Sequence, residues 1–298
     1  MAVVISTRNR GASAARAAEA VLRDTGDFEL VIVDQNGNDE TAEAARALEP
    51  DPRLRFIHSP LVGVSNGRNV GVAATSARII AFTDDDCRPQ AGWASSMLRV
   101  FDDPQVALVF GRVHLPMQAS ENGFAASFEP VRRVIEGEVP TPASGVGIGA
   151  NFAIRREVLE ALGGFDPLLG VGAPFFRAGE DVDLFIRALH AGYRVVNASE
   201  CDVLHLGVRT YGDVRPLAIH YQLATGAALA KHARMAGLSG IRNLWRWTKY
   251  YTGEAITNTI RFRQSRLGAP LYFVVGAFLT FRYRIDHVKA VFQTRRST

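Results

Sequence analysis

Arg78-Ile79-Ile80-Ala81-Phe82-Thr83-Asp84-Asp85-Asp86 runs from an apolar string straight into three adjacent carboxylates. A short apolar run bounded by polar residues is the pattern of a strand buried on both faces, as in a parallel sheet. Two more stretches repeat it: Val3 to Ser6 passes into the polar Thr7 to Gly11, and Phe28 to Val33 into Asp34-Gln35-Asn36-Gly37-Asn38-Asp39. Leu54 to His58 reads as a further strand. Helical patterns lie between them, at about Ser13 to Arg23, Glu40 to Leu48 and, after a turn at Gly63, Ser65 to Ser76. Strands alternating with helices predict an α/β fold, a Rossmann-like, mostly parallel sheet with helices on both faces. Ligands of such sheets gather at the carboxyl ends of the strands, where all three polar clusters fall. Ordinary polar loops are the alternative for any one cluster alone.

Beyond this edge the pattern is mixed. Val106 to Ala198 combines strands with a Gly- and Pro-rich loop, Pro140 to Gly149, and two helical stretches. These are Arg156 to Leu162 and Asp181 to Ala191, closed by Gly163-Gly164 and Gly192 as a glycine stop requires. After His205 the pattern turns helical. The chain divides into a domain over 1–210 and a C-terminal helical, basic region over 211–298.

With 298 residues and 47% hydrophobic composition the chain can bury a substantial core, which excludes a disordered or fibrous protein. Cys87 and Cys201 cannot build a disulfide framework and are expected as small buried residues. Met1 runs directly into the first strand, which gives a cytoplasmic expectation. The net charge of +4 conceals an asymmetry. From Lys231 to Thr298, thirteen Lys and Arg face only Glu254 and Asp286, so the first 230 residues are net acidic. An acidic body suits a divalent cation, and a basic, aromatic tail suits an anionic surface.

Three adjacent carboxylates repel one another unless a cation sits among them, and hard ions such as Mg²⁺ and Mn²⁺ prefer oxygen ligands. A turn with helix-capping aspartates is the alternative. Further strings make the pattern specific: Val3-Val4-Ile5-Ser6-Thr7-Arg8-Asn9-Arg10, Val31-Ile32-Val33-Asp34, Ser65-Asn66-Gly67-Arg68-Asn69-Val70-Gly71 and Phe82-Thr83-Asp84-Asp85-Asp86. Gly149-Ala150-Asn151, Gly163-Gly164-Phe165-Asp166 and Gly179-Glu180-Asp181-Val182-Asp183-Leu184 follow. Each is weak alone, but seven in this order, over roughly Met1 to Gly207, resemble family 2 glycosyltransferases with the GT-A fold.

The resemblance implies an inverting, metal-dependent enzyme that moves a sugar from a nucleotide diphosphate onto a hydroxyl acceptor of a glycan or lipid-linked sugar, with Mn²⁺ or Mg²⁺ as cofactor. Asp84 and Asp86 match the Asp-x-Asp element, Asp86 as direct metal ligand and Asp84 nearer the ribose. Ser6, Asp34, Gln35, Arg68 and Asp85 would belong to the nucleotide pocket. Asp181 matches the catalytic base, and His205 the histidine that completes the metal shell. Asn151 and Glu180 would contact acceptor or donor sugar, and Glu180 and Asp183 also read as first-turn charges opposing a helix dipole. One departure stands out: the family commonly has an aspartate where this chain has Gln35, an amide that both donates and accepts. UDP leads as the donor nucleotide, with GDP and dTDP open.

The segments Pro140 to Gly149 and Gly163 to Gly179 read either as covers closing over the ligands or as ordinary surface loops. In the tail, the uncharged Leu267 to Phe281 would span about 22 Å as a helix, short of the roughly 30 Å hydrocarbon core, so no crossing is expected. Trp245, Trp247, Tyr250 and Tyr251, interleaved with Arg242, Arg246 and Lys249, suit a helix among anionic headgroups on the cytoplasmic face. Helices packed on the catalytic domain, or a dimer contact, are the alternative. No nucleic-acid partner is expected.

Among rival functions, a nucleotidyltransferase acting on a sugar phosphate would want a glycine-rich phosphate loop that Ser6 to Arg10 lacks. Gly145-Val146-Gly147-Ile148-Gly149 has the wrong spacing for a dinucleotide fold. A non-catalytic membrane- or nucleic-acid-binding protein would not need Asp86, Asp181 and His205 together.

Overall fold

β1 (Ala2–Thr7), β2 (Glu29–Asp34) and β4 (Ile79–Thr83) are apolar on both faces and lie inside a sheet, with the half-exposed β3 (Leu54–His58) at its edge. They pair in parallel in the order β3-β2-β1-β4. The computed structural model describes residues 1–38, 40–46, 51–116, 125–142, 147–208, 211–262 and 268–294. The sheet continues through β8 (Asn151–Arg155) and β6 (Val106–His114), both antiparallel additions, to β9 (Arg194–His205), which runs parallel to β6. Short β5 (Cys87–Pro89) and β7 (Arg133–Ile135) pair antiparallel with β9. The sheet is therefore parallel where βα units build it and mixed beyond.

The helices are α1 (Gly11–Leu22), α2 (Glu40–Arg46), α3 (Val64–Ala73), α4 (Trp93–Val100), α5 (Arg156–Ala161) and α6 (Glu180–His190). α1, α3, α5 and α6 match the sequence expectation to within three residues at their ends, and α4 was not expected; the expected end of α2, 47–48, lies outside the described residues. The glycines of α3 are there for closeness. A Cβ at Gly71 would lie 2.3 Å from Val4 Cγ1, and one at Gly67 2.6 Å from the Ser6 Cβ, so only bare backbone lets α3 settle onto β1.

The C-terminal region forms α7 (Tyr211–Ala236), α8 (Leu238–Phe262) and α9 (Gly268–Leu279), then a hairpin of β10 (Arg284–Asp286) and β11 (Val291–Gln293). The helical reading missed the hairpin because three-residue strands carry too few positions to show alternation. α7 and α9 touch backbone to backbone, since a Cβ on Gly226 or Gly276 would fall 2.0 Å from a carbonyl oxygen of the facing helix. The region also shares its core with the sheet: Leu229, Trp247 and Phe273 belong to the cluster that contains Val4, Phe82 and Phe152.

The tail aromatics divide rather than lying together among headgroups. Trp247 is 2% exposed, with its Nε1–H donating to the Pro140 carbonyl at 3.0 Å, and Tyr251 packs on Phe273. Leu238, Ile241 and Trp245 form the outer stripe, Trp245 at 63% exposure. Helical periodicity explains the split: residues four apart share a face, so 247, 251 and 255 turn inward while 238, 241 and 245 turn out. Among the described residues no helix is long and apolar enough to cross a membrane; Leu267 lies outside them.

α7 is fixed to the sheet domain by a buried ion cluster. Lys231 Nζ, 1% exposed, lies 2.7 Å from both Asp166 Oδ2 and Asp183 Oδ1, and Arg187 Nη2 reaches Asp183 Oδ2 at 2.8 Å. Buried charges persist only when paired, so these four hold one another. Asp166 Oδ2 also accepts the Phe292 N–H at 2.8 Å, tying in the hairpin. Beside Lys231, His232 packs edge-on to His190 with ring centres 4.6 Å apart, and its Nε2 has no hydrogen-bond partner. Burial, with His190 adding to it, pushes the His232 imidazole down to about 4. A folded-state value below the ordinary 6.5 gives stability that is complete above pH 6.5 and is lost as pH falls toward 4. His232→Phe keeps the ring packing and removes the titration. Thermal unfolding of that variant should decline less than wild type between pH 6.5 and 4; parallel curves would contradict the assignment.

Candidate active site

Strand register creates the site. Cys87 of β5 pairs opposite His205 of β9, so Asp86, one residue before, arrives beside the imidazole with Asp86 Oδ1 3.4 Å from His205 Nε2. His205 Nδ1 is 2.9 Å from the Ala126 carbonyl, which calls for a proton on Nδ1 and turns Nε2 toward Asp86. Burial works against the Asp86 charge, but His205 and the Arg10 guanidinium outweigh it and hold the carboxyl at about 2. His205 is raised in turn, because Asp86 outweighs its burial.

The Asp86–His205 pair fits a hard divalent cation. It offers one ionised oxygen and one imidazole nitrogen, and a Cβ on Gly207 would fill the space, 2.2 Å from Asp86 Oδ2 and 3.0 Å from His205 Nε2. The Cys87 thiol lies close by, 4.0 Å from Asp86, and burial pushes it well above its ordinary range; its soft sulfur suits a hard ion less well than the oxygen and nitrogen of Asp86 and His205.

The other two aspartates differ in environment. Asp85 is turned inward, accepting the Thr7 hydroxyl at 2.7 Å and Arg10 Nη1 at 3.0 Å. Arg10 Nη1 also reaches Asp86 Oδ2 at 2.7 Å and neutralises the cluster. Sequence reasoning gave Arg10 no role; its signal was a cation at the end of β1 facing an aspartate run at the end of β4. Asp84 faces the cavity, and its enclosure, with Asp86 and Asp85 as neighbours, pushes it up to about 6 although Arg68 pulls the other way.

Arg68 on α3 joins the halves of the site. Its guanidinium donates to Glu180 Oε1 at 2.9 Å, Asp84 Oδ1 at 3.2 Å and the Gly149 carbonyl at 2.8 Å. Glu180, the first residue of α6, is buried, and burial with Asp181 beside it carries the carboxyl up to about 7 despite Arg68. Asp181 follows, with Oδ2 accepting the Gly149 N–H and Oδ1 the Val182 N–H, each at 2.7 Å.

One cavity of ≈680 Å³ collects Ser6, Gln35, Arg68, Asp84, Asp85, Asp86, Glu180, Asp181 and His205. Two expected residues stand apart from its wall. Asp34 is buried behind it, its Oδ1 accepting the Asn36 N–H at 3.1 Å. Asn151 is wholly buried, its amide taken up by the Trp93 indole and the carbonyls of Arg112 and Cys201 at 2.7–2.9 Å, so it braces three segments instead of meeting a sugar. Gln35 reaches the wall, but its amide donates to the Leu61 and Gly63 carbonyls and accepts the Gly63 N–H. A carboxylate could not make those two donations, which is a structural reason for the amide. Of the two expected cover segments, 143–146 lies outside the described residues, while Gly147, Gly149, Val171 and Gly172 line the cavity.

Residues 2–163 match the sequence profile of glycosyl transferase family 2. A pre-mycofactocin glycosyltransferase of Mycobacterium tuberculosis is 32% identical over 200 residues, a segment spanning 65% of this chain and 40% of that protein. Glycosyltransferase AglE of Haloferax volcanii is 26% identical over 72% of this chain and 69% of its own length. Among solved structures, mannosyltransferase PcManGT from Pyrobaculum calidifontis, in complex with GDP-Man and Mn²⁺, superposes with a TM-score of 0.62 at 15% identity over 94% of this chain and 86% of that one. S. aureus TarS gives 0.55 at 14% identity over 78% and 43%.

Gly207 provides the direct check on the cation cleft. Gly207→Ala places a methyl group between Asp86 and His205, and Mn²⁺ affinity measured by electron paramagnetic resonance should fall about tenfold or more with little change in melting temperature. Unaltered affinity would place the ion elsewhere.

Proposed function

The chain belongs to glycosyl transferase family 2, and from that premise we propose that it moves a sugar from a nucleoside diphosphate to a hydroxyl of a glycan or lipid-linked acceptor, inverting the anomeric carbon. The observation that carries the reading is the shared cavity lined by the Asp86–His205 pair and the Asp181 carboxylate, with Arg68 bridging their neighbours Asp84 and Glu180.

Asp86 and His205 are the residues that would hold a divalent cation, Mn²⁺ or Mg²⁺. Bound there, the ion supplies positive charge where the diphosphate departs. The protein's own groups do the rest. Asp84 and Arg68 line the same cavity and would face the donor there. Asp181 is positioned by two backbone N–H donors, and each oxygen keeps a lone pair for the acceptor hydroxyl. As the acceptor oxygen bonds to the anomeric carbon, the bond to the diphosphate breaks and its electron pair leaves with the phosphate. The hydroxyl proton passes to Asp181. A single displacement of this kind inverts the centre.

Glu180 is the second candidate for the base, favoured by a carboxyl carried up to about 7. Its Oε1 is tied to Arg68, so Asp181 ranks first on geometry. A UDP-sugar is the leading donor. A GDP-sugar stands second, supported by the mannosyltransferase neighbour and by a Gln35 amide occupied with the Leu61 to Gly63 backbone.

A panel of UDP-, GDP- and dTDP-sugars with Mn²⁺, followed by release of free nucleoside diphosphate, tests the reaction. One donor should be consumed, and Asp181→Asn should lower kcat roughly 10²–10⁴-fold with donor KM nearly unchanged. A variant retaining most of its turnover would remove Asp181 as base.

The outer face of the tail supports a second partner, an anionic membrane surface. Leu238, Ile241 and Trp245 of α8 and Leu271 and Phe278 of α9 are exposed within a strongly basic region. The protein should co-sediment with phosphatidylglycerol vesicles at low salt and lose that binding on Trp245→Ser with Phe278→Ser; a soluble fraction unchanged by lipid would defeat this part.

A further inference from the structure

A smaller cavity, of ≈150 Å³, opens where α6 and α7 both end, and among the described residues it shares no lining residue with the catalytic one. His190, the last residue of α6, and His232 and Met235, near the end of α7, line it, with Leu162, Val288 and Ala290 as apolar walls. The carboxyl end of a helix carries partial negative charge, so two such ends meeting here favour a cation.

The donors are unspent. His232 is 4% exposed, yet its Nε2 has no hydrogen-bond partner. A buried polar atom left unpaired is costly, which points to a ligand that the ring is placed to meet. Burial and His190 hold His232 down at about 4, so at neutral pH it is uncharged and offers a nitrogen lone pair. The His190 ring lies edge-on at 4.6 Å between centres and is exposed, and Met235 follows His232 by three residues on the same helix face. The charges beside them are already matched. Arg187 and Lys231 are neutralised by Asp183 and Asp166, and both Asp183 oxygens are occupied, which leaves no carboxylate here to balance a dication.

We propose that His190, His232 and Met235 form a binding site for a soft monovalent cation, Cu(I), at the junction of α6 and α7. Two imidazoles and a thioether are neutral, polarisable donors, a set that selects Cu(I) over Mg²⁺ or Mn²⁺. Metal–imidazole bonds run about 2.0–2.1 Å, so one ion meets both rings once the exposed His190 turns a nitrogen toward His232. A single positive charge also costs less to bury among apolar walls than two. Bound there, the ion would staple the helix that begins with Glu180 and Asp181 to the C-terminal region. The site is independent of the transfer reading and stands or falls without it.

Competition for Cu(I) against bicinchoninate, in anaerobic buffer with ascorbate, tests it on the full chain carrying Cys87→Ser, which removes the thiol beside Asp86 as a rival ligand. This parent protein should bind Cu(I), and His232→Phe in it should weaken binding about tenfold or more. Met235→Leu conserves volume and should also weaken binding, which keeps the test decisive where His232→Phe disturbs folding. Bound Cu(I) should raise the melting temperature of the parent and of neither variant. Failure of the parent to compete with the chelator, an affinity unchanged by both substitutions, or Zn²⁺ held in preference to Cu(I) would overturn the proposal.

Discussion

A single guanidinium organises this molecule. Arg68 is 3% exposed, and its charge is met by Glu180 and Asp84 and by the Gly149 carbonyl. The rings of Phe82, Phe152 and Phe165 surround it at 5.2–5.9 Å. A planar fork with five donors can join three partners in one plane, as a lysine cannot. The partners belong to the end of β4, the loop before β8 and the start of α6, so the arginine spans from the aspartate run toward the proposed base. Without it, the buried Glu180 carboxylate would lose its cationic partner, and Asp84 would lose the same one.

The same economy holds behind the site. Asp183, two residues after Asp181, is engaged by Arg187 and by Lys231 of α7, and Asp166 takes the other side of that lysine together with the backbone of β11. The helix carrying the proposed base is thus anchored at its front by Arg68 and at its back by the C-terminal region. Stability and geometry of the site are one problem here, because the groups that neutralise buried charge also aim the carboxylates. The C-terminal helices are packed into the structure that holds α6 in place.

Much of this was legible in the sequence, for identifiable reasons. β1, β2 and β4 are buried on both faces and so show as unbroken apolar runs, and the polar residues that follow them mark the ligand edge. Asp84, Asp86, Asp181 and His205 were recognisable because their types and order match a family. Asn151 and Asp34 were harder. Both sit within family strings, and nothing in a residue's identity distinguishes an amide that braces three segments from one that meets a sugar. Gln35 shows the same limit, since its partners are backbone groups some twenty-six residues away. Trp247 and Tyr251 looked interfacial because aromatics among arginines have two explanations, and only the packing of α8 separates the ring facing inward from the one facing out.

Diffraction from crystals soaked with Mn²⁺ and UDP, recorded at the manganese absorption edge, tests the central claim most directly. The account requires one anomalous peak bonded to Asp86 and His205, with Arg68 still bridging Asp84 and Glu180 and Asp181 open to the same cavity. A peak on other ligands, or a nucleotide seated away from this cluster, would contradict it.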